Sequence, residues 1–181
     1  KMKALTFLIF SFVFEGSFSF ASNHCHTLKE EKFKLNIASS NFVNADTTRT
    51  PMGGPYRKKI VRECSAGKCF VIQLNRFKTK YLPNHPDANH QGEVLFPEVD
   101  KEQERKFAQK AAHKIAELAA KQLCQSHLQK EAIPEGKILL VNYQNDGQKD
   151  KFIFKDGKLV SWEVVTPVGK NTISFNDRNG R

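Results

Sequence analysis

Apolar side chains recur at helical spacing in two stretches of the chain and at alternating spacing in several others. Between residues 25 and 43, Cys25, Leu28, Leu35, Ala38 and Phe42 share one broad face while Lys29, Lys32 and Lys34 lie elsewhere, which predicts an amphipathic helix. The apolar face is thin, so this helix needs a partner. Residues 44 to 54 lose the period. Asn44, Asp46 and the Thr47-Thr48 pair favour side-chain to backbone hydrogen bonds over helix continuation, and Gly53 with Gly54 between Pro51 and Pro55 predicts a sharp, stiffened reversal. Segments 57–63 and 69–80 read as two strands joined by a turn at Ser65-Ala66-Gly67-Lys68. Pro83, Pro86 and Pro97 break residues 81–99 into extended and turn pieces, with GEVLF a short strand.

The second helix is announced more strongly. Asp100 is a good N-cap with Gln103 at the third helical position. From Lys101 to about Lys130 the residues Ala108, Ala112, Ile115, Ala119 and Leu123 make a stripe, flanked by Ala111, Ala116, Leu118 and Ala120, whose small side chains permit close helix approach. Pro134 and Gly136 end it. Three short strand patterns follow, at 137–144, 151–155 and 158–165, separated by turn residues, which predicts an antiparallel meander packed by Trp162 and a frayed end at SFNDRNGR. The class is α+β.

The amino-terminal stretch changes the compartment. Residues 4–14 are apolar behind Lys1 and Lys3, and Ser19-Phe20-Ala21 suits signal peptidase, so residues 1–21 are expected to be a secretory signal. The apolar run is about half of the roughly 20 residues a spanning helix needs, which disfavours an uncleaved anchor. Net charge is +10, and the basic residues are scattered without a block. That balance suits solubility and attraction to anionic envelope surfaces, and export disfavours nucleic acid. Four cysteines, Cys25, Cys64, Cys69 and Cys124, are an even number in an oxidising destination, with three pairings possible. Cys64 and Cys69 flank the turn and can lie within bridging distance, which leaves Cys25 and Cys124.

Two blocks carry a family resemblance. NIASSNFVNADTTRTPMGGPYRKK, residues 36–59, resembles the amino-terminal motif of flagellar basal-body rod proteins, closest to the proximal-rod (FlgC) type, in which an Asn-rich helix end leads into Thr-Thr-Arg-Thr-Pro and Gly-Gly-Pro-Tyr. YLPNHPDANHQGEVLFPEVDK, residues 81–101, is similar to the segment that links the central hairpin of that family to its C-terminal helix. The resemblance implies an antiparallel pair of N- and C-terminal helices with a central β-hairpin, to which this chain adds its small meander. With the signal at 1–21, the chain then divides into a rod-protein-like core at 22–130 and a meander at 131–181. The resemblance also implies a non-enzymatic structural role through protein–protein assembly in the periplasm, with flagellar rod or other envelope proteins as partners. Asn41, Asn44, Thr47, Thr48, Arg49, Tyr56 and Arg57 are the expected contact residues, the last two because an aromatic and a guanidinium together suit an interface.

Antiparallel helices would bring Cys25 near Cys124. A bridge there would close a loop of about 100 residues and stabilise by about 3 to 5 kcal/mol. The signal, the divergent second helix and the added meander depart from the family pattern, and they support an alternative: a monomeric, disulfide-locked periplasmic module recognising an envelope component. Other chemistry is weaker. His24, Cys25, His26 and His127 do not form the two spaced ligand pairs of a structural zinc site. His85 and His90 flank a Pro-Asp turn, and no nucleophile elbow, phosphate loop or zinc-protease helix occurs, so neither a cofactor nor catalysis is expected.

Overall fold

The computed structural model describes residues 15–121, 126–133, 136–143 and 147–175. Helix α1 runs Glu15–Val43 and helix α2 runs Lys101–Ala120. They lie antiparallel: Asn41, near the end of α1, hydrogen-bonds Glu104 in the first turns of α2. Asp100 caps α2 as expected, its side chain accepting from the Gln103 N–H. The small side chains of α2 then face α1, so the backbones can approach closely.

Strands β1 (Lys59–Ser65) and β2 (Lys68–Gln73) form a hairpin against α1. Strands β3 (Phe77–Tyr81) and β4 (Glu93–Pro97) form a second two-stranded ladder. The expected single strand 69–80 is therefore two, because its first half pairs with β1 and its second with β4. Strands β5 (Ser126–Ile133), β6 (Gly136–Tyr143), β7 (Lys149–Lys155), β8 (Lys158–Thr166) and β9 (Gly169–Ser174) build an antiparallel sheet in chain order.

The meander is larger than its sequence suggested. The second helix, expected to reach about Lys130, stops at Ala120, and Lys121 closes it by donating to the Glu117 and Ala119 carbonyls. Residues 126–133 instead pair with β6 along their whole length, from Ser126 with Tyr143 to Ile133 with Gly136. Leu128, Gln129, Lys130, Glu131 and Ala132 are good helix formers, and the full ladder of cross-strand bonds overrides that local preference. The boundary expected at residue 130 falls inside β5. The expected frayed end is also corrected in part: Ser174 closes β9, and Phe175 is fully buried, its N–H donating to Val160 and its ring 5.2 Å from Phe42. Residues 176–181 lie outside the described residues.

One apolar cluster joins helices and sheet. Leu28, Leu35, Ala38 and Phe42 of α1 and the alanines and Ile115 of α2 pack with Leu139, Val141, Phe152, Phe154, Leu159, Trp162 and Phe175. The sheet thus lies across the helix pair and supplies the cover that the thin α1 face required. Each large side chain so buried contributes about 1.5–3 kcal/mol. Residues 1–14 of the expected signal lie outside the described residues, and among the described residues no helix is long and apolar enough to cross a membrane.

Candidate functional site

The end of α1 and the loop after it are held by a buried polar clamp. Asn41 is 1% exposed and its carboxamide makes four hydrogen bonds. Its amide donates to the Lys59 carbonyl at 2.8 Å and to Glu104 Oε2 at 3.1 Å. Its oxygen accepts from the Lys59 N–H at 2.9 Å and from the Tyr56 hydroxyl at 3.0 Å. Lys58 Nζ lies 2.8 Å from Glu104 Oε1, so the buried carboxylate is paired. Ser40 Oγ is 3.1 Å from the Tyr56 hydroxyl. Burial raises the Tyr56 phenol above its ordinary value, a shift that the Ser40 hydrogen bond opposes and the Glu104 charge reinforces.

The loop closes by local bonds. Asn44 stops the helix, its side-chain amide donating to the Ser40 carbonyl at 2.9 Å while its oxygen accepts from the Thr47 hydroxyl at 3.2 Å. The Tyr56 N–H then returns to the Thr47 carbonyl at 3.0 Å, so residues 47 and 56 form the neck of the loop. Gly53 and Gly54, at φ +85° and +69°, take the left-handed backbone that the reversal requires.

The two sequence blocks that carried the resemblance meet here. Thr48 donates to Asp87 Oδ2 at 2.7 Å, and Arg49 Nε lies 2.6 Å from Asp87 Oδ1. The Asp87 N–H bonds to His85 Nδ1, and the His85 ring faces Phe96, so the His-Pro-Asp turn is itself braced. The Thr48 hydrogen bond, with the Arg49 and His85 charges, holds the Asp87 carboxyl below its ordinary value. Lys101 reaches back to Asp46 at 2.6 Å, tying the start of α2 to the same loop.

The expected contact residues therefore divide. Asn41 and Tyr56 are buried and their polar atoms are taken up within the chain, so their role here is to fix the helix exit. Asn44, Thr47 and Thr48 are half-buried and engaged in the loop. Arg49, at 70% side-chain exposure, and Arg57 face outward, joined by Met52 at 98% exposure. Glu104 and Asp87 were missed. Glu104 sits four residues before Ala108, a carboxylate in line with an apolar stripe, and that misfit was the available signal.

The second polar cluster also escaped sequence reasoning. Asp150 is fully buried on β7 and accepts from the Tyr143 hydroxyl at 2.8 Å and the Gln148 amide at 3.1 Å. Lys32 of α1 lies 3.7 Å from it and 3.9 Å above the Tyr143 ring, which fastens the sheet to the helix.

Cys64 and Cys69 form the expected disulfide, with Cα atoms 4.1 Å apart across the hairpin. Its tip rests on α1, where the Gly67 N–H donates to Glu30. Cys25 is disulfide-bonded, and Cys124 lies outside the described residues. Of the histidines weighed for a metal, His26 lies over Gly67, and the side chains of His24 and His127 lie outside the described residues.

Comparison with known proteins points to the same family. No protein-family model matches the chain. It is 31% identical to the flagellar basal-body rod protein FlgC of Bacillus subtilis strain 168, in a match covering 40% of this chain and 67% of that protein. It is 34% identical to the FlgC proteins of Escherichia coli O6:H1 and O157:H7, covering 40% of this chain and 63% of each. The chain spans roughly two thirds of the length of these relatives. Shared sequence of that extent, together with the contact between the exit loop and the His-Pro-Asp turn, leads to one assignment: the chain belongs to the FlgC family of flagellar basal-body rod proteins.

Proposed function

We propose that the chain is a non-enzymatic structural component of the bacterial flagellar basal body, working by protein–protein contact in the periplasm. The observation that carries this reading is the exit loop, whose buried side chains are spent on rigidity while Met52 and Arg57 are left to solvent beside the outward-facing Arg49–Asp87 pair. A loop clamped from within and presenting guanidinium and thioether groups suits recognition of a neighbouring subunit. The residues engaged inside the loop, Asn44, Thr47 and Thr48, act by holding that surface in shape. Export by the expected signal brings the chain to the compartment, and its net charge of +10 favours approach to anionic envelope surfaces.

The test is fractionation of basal bodies from cells carrying the tagged full-length chain. The chain should co-purify with them, and Met52→Glu with Arg57→Glu, both outside the loop's internal contacts, should release it while circular dichroism stays unchanged. Normal flagella after deletion of the gene, with the chain absent from basal bodies, would overturn the reading.

The shared core supports a second reading. Because the sheet covers the helix pair within one chain, a monomeric periplasmic module recognising an envelope component is the rival. It predicts a strict monomer on sizing. A bridge between Cys25 and Cys124 favours this second reading, and non-reducing peptide mapping should then recover those two cysteines in one linked peptide.

A further inference from the structure

A groove of about 760 Å³ lies between α1, α2 and β1, away from the exit loop's outward face. Its apolar walls come from Ile37, Ile60, Val61 and Phe107, the last 52% exposed. Among the described residues, strand β1 contributes an edge with no strand beside it, because its sheet contains only β1 and β2.

The direction of that edge follows from the hydrogen bonds. The Leu74 N–H donates to the Lys58 carbonyl, so residue 58 faces the β2 side. Lys59, opposite Gln73, sends both its N–H and its C=O to the Asn41 carboxamide instead. Asn41 is acting as a one-residue substitute for a neighbouring strand. Val61, opposite Val71 and two residues on, has the same orientation before the ladder slips at the bulge between Val61 and Glu63. Its N–H and C=O therefore open toward the groove.

Charge selects the occupant. Of the groove's acidic side chains, Glu104 is paired with Lys58, Glu31 with Lys34, and Glu30 accepts from Gly67. Lys59, Arg62 and Lys110 face the groove without a carboxylate partner among the described residues, against two acids without a cation partner there, Glu30 and Glu63, so the lining keeps a positive excess that adds to the chain's net charge of +10. A second copy of this chain, at net charge +10, is disfavoured as the occupant. We infer that the groove receives an extended acidic segment of a partner protein, which adds as a strand to the open edge of β1 at Val61 and rests its apolar side chains on Phe107 and Ile60. The inference stands on the groove and does not depend on the flagellar reading.

The probe is a fluorescein-labelled peptide alternating valine and glutamate, titrated with the full chain and read by fluorescence anisotropy. It should bind, and methylating its alternate backbone nitrogens should weaken binding about tenfold by removing the main-chain bonds. Val61→Pro, which removes an edge N–H not used by β2, should have a similar effect, whereas Phe70→Ser, outside the groove, should leave binding unchanged. Phe107→Ser, at an exposed position, gives a second variant with little risk to folding. No binding, equal binding of the valine–lysine peptide, or indifference to N-methylation would each overturn the inference.

Discussion

Replacing Asn41 by alanine tests whether the helix exit is held as the hydrogen bonds imply. The side chain is 1% exposed and joins Lys59, Tyr56 and Glu104. Its loss strands the N–H and C=O of Lys59 and one bond of the Tyr56 hydroxyl, which keeps Ser40, while Glu104 keeps Lys58. A net hydrogen bond contributes about 1 kcal/mol, and an orphaned buried group costs about 1–3 kcal/mol. Lys59 is half-buried, so water recovers part of that cost. The expected loss is about 2–4 kcal/mol, a large share of the usual stability of a domain. Urea unfolding with the disulfides intact should show a lower midpoint at unchanged slope. Tyr56→Phe should cost about 1 kcal/mol, and the double variant should lose less than the sum, because both changes remove the same bond. A loss below about 1 kcal/mol for Asn41→Ala, or strict additivity with Tyr56→Phe, would refute the clamp.

Asp150→Ala should destabilise by about 2–4 kcal/mol, since it leaves Lys32 and the Tyr143 hydroxyl without their carboxylate, and Asp150→Asn should cost less in the same urea assay. The Asp87 carboxyl should titrate below its ordinary value of 3.8 in carbon-detected magnetic resonance, and Thr48→Val should raise it by removing the leading cause. Because the folded value is lowered, its contribution to stability is present above the unfolded pKa and disappears as pH falls through the folded one; a midpoint at or above 3.8 contradicts the contact. Cys64→Ser with Cys69→Ser opens a loop of sequence separation 5 and should cost about 2 kcal/mol by the chain-entropy relation, read as a shift in midpoint.

What was legible in the sequence was whatever a single local rule decides. Asp100 stood where a cap must stand, the alanine stripe marked α2, and the cysteine turn fixed the β1–β2 hairpin. The end of α2 was hidden, because residues 121–130 offer no strong breaker and only the presence of β6 makes a strand of Ser126–Ile133. Phe175 looked like part of a polar tail, since its burial depends on Phe42, far away in the chain. The site shows the same division. The Thr-Thr-Arg and His-Pro-Asp strings were visible separately, but nothing local says that Thr48 and Arg49 close on Asp87. Asn41, Glu104 and Asp150 each occupy an apolar position of their element, and a polar residue there is a request for a partner that only the fold identifies.

The shared core also limits how such a chain can assemble. Here the α1 stripe of Leu28, Leu35, Ala38 and Phe42 is already covered by Phe152, Trp162, Phe175 and their neighbours. Offering that stripe to another chain means lifting the sheet, which exposes several aromatic side chains at about 1.5–3 kcal/mol each and breaks the Lys32–Asp150 contact as well. The sum is on the order of 10 kcal/mol, comparable to the whole stability of a domain. Assembly through surfaces already open carries no such cost. Those surfaces are the outward face of the exit loop, at Arg49, Met52 and Arg57, and the groove along β1, at Val61 and Phe107. Met52 of the loop and Phe107 of the groove are not shared between them, so Met52→Glu should leave peptide binding in the groove intact, and Phe107→Ser should leave co-purification with basal bodies intact.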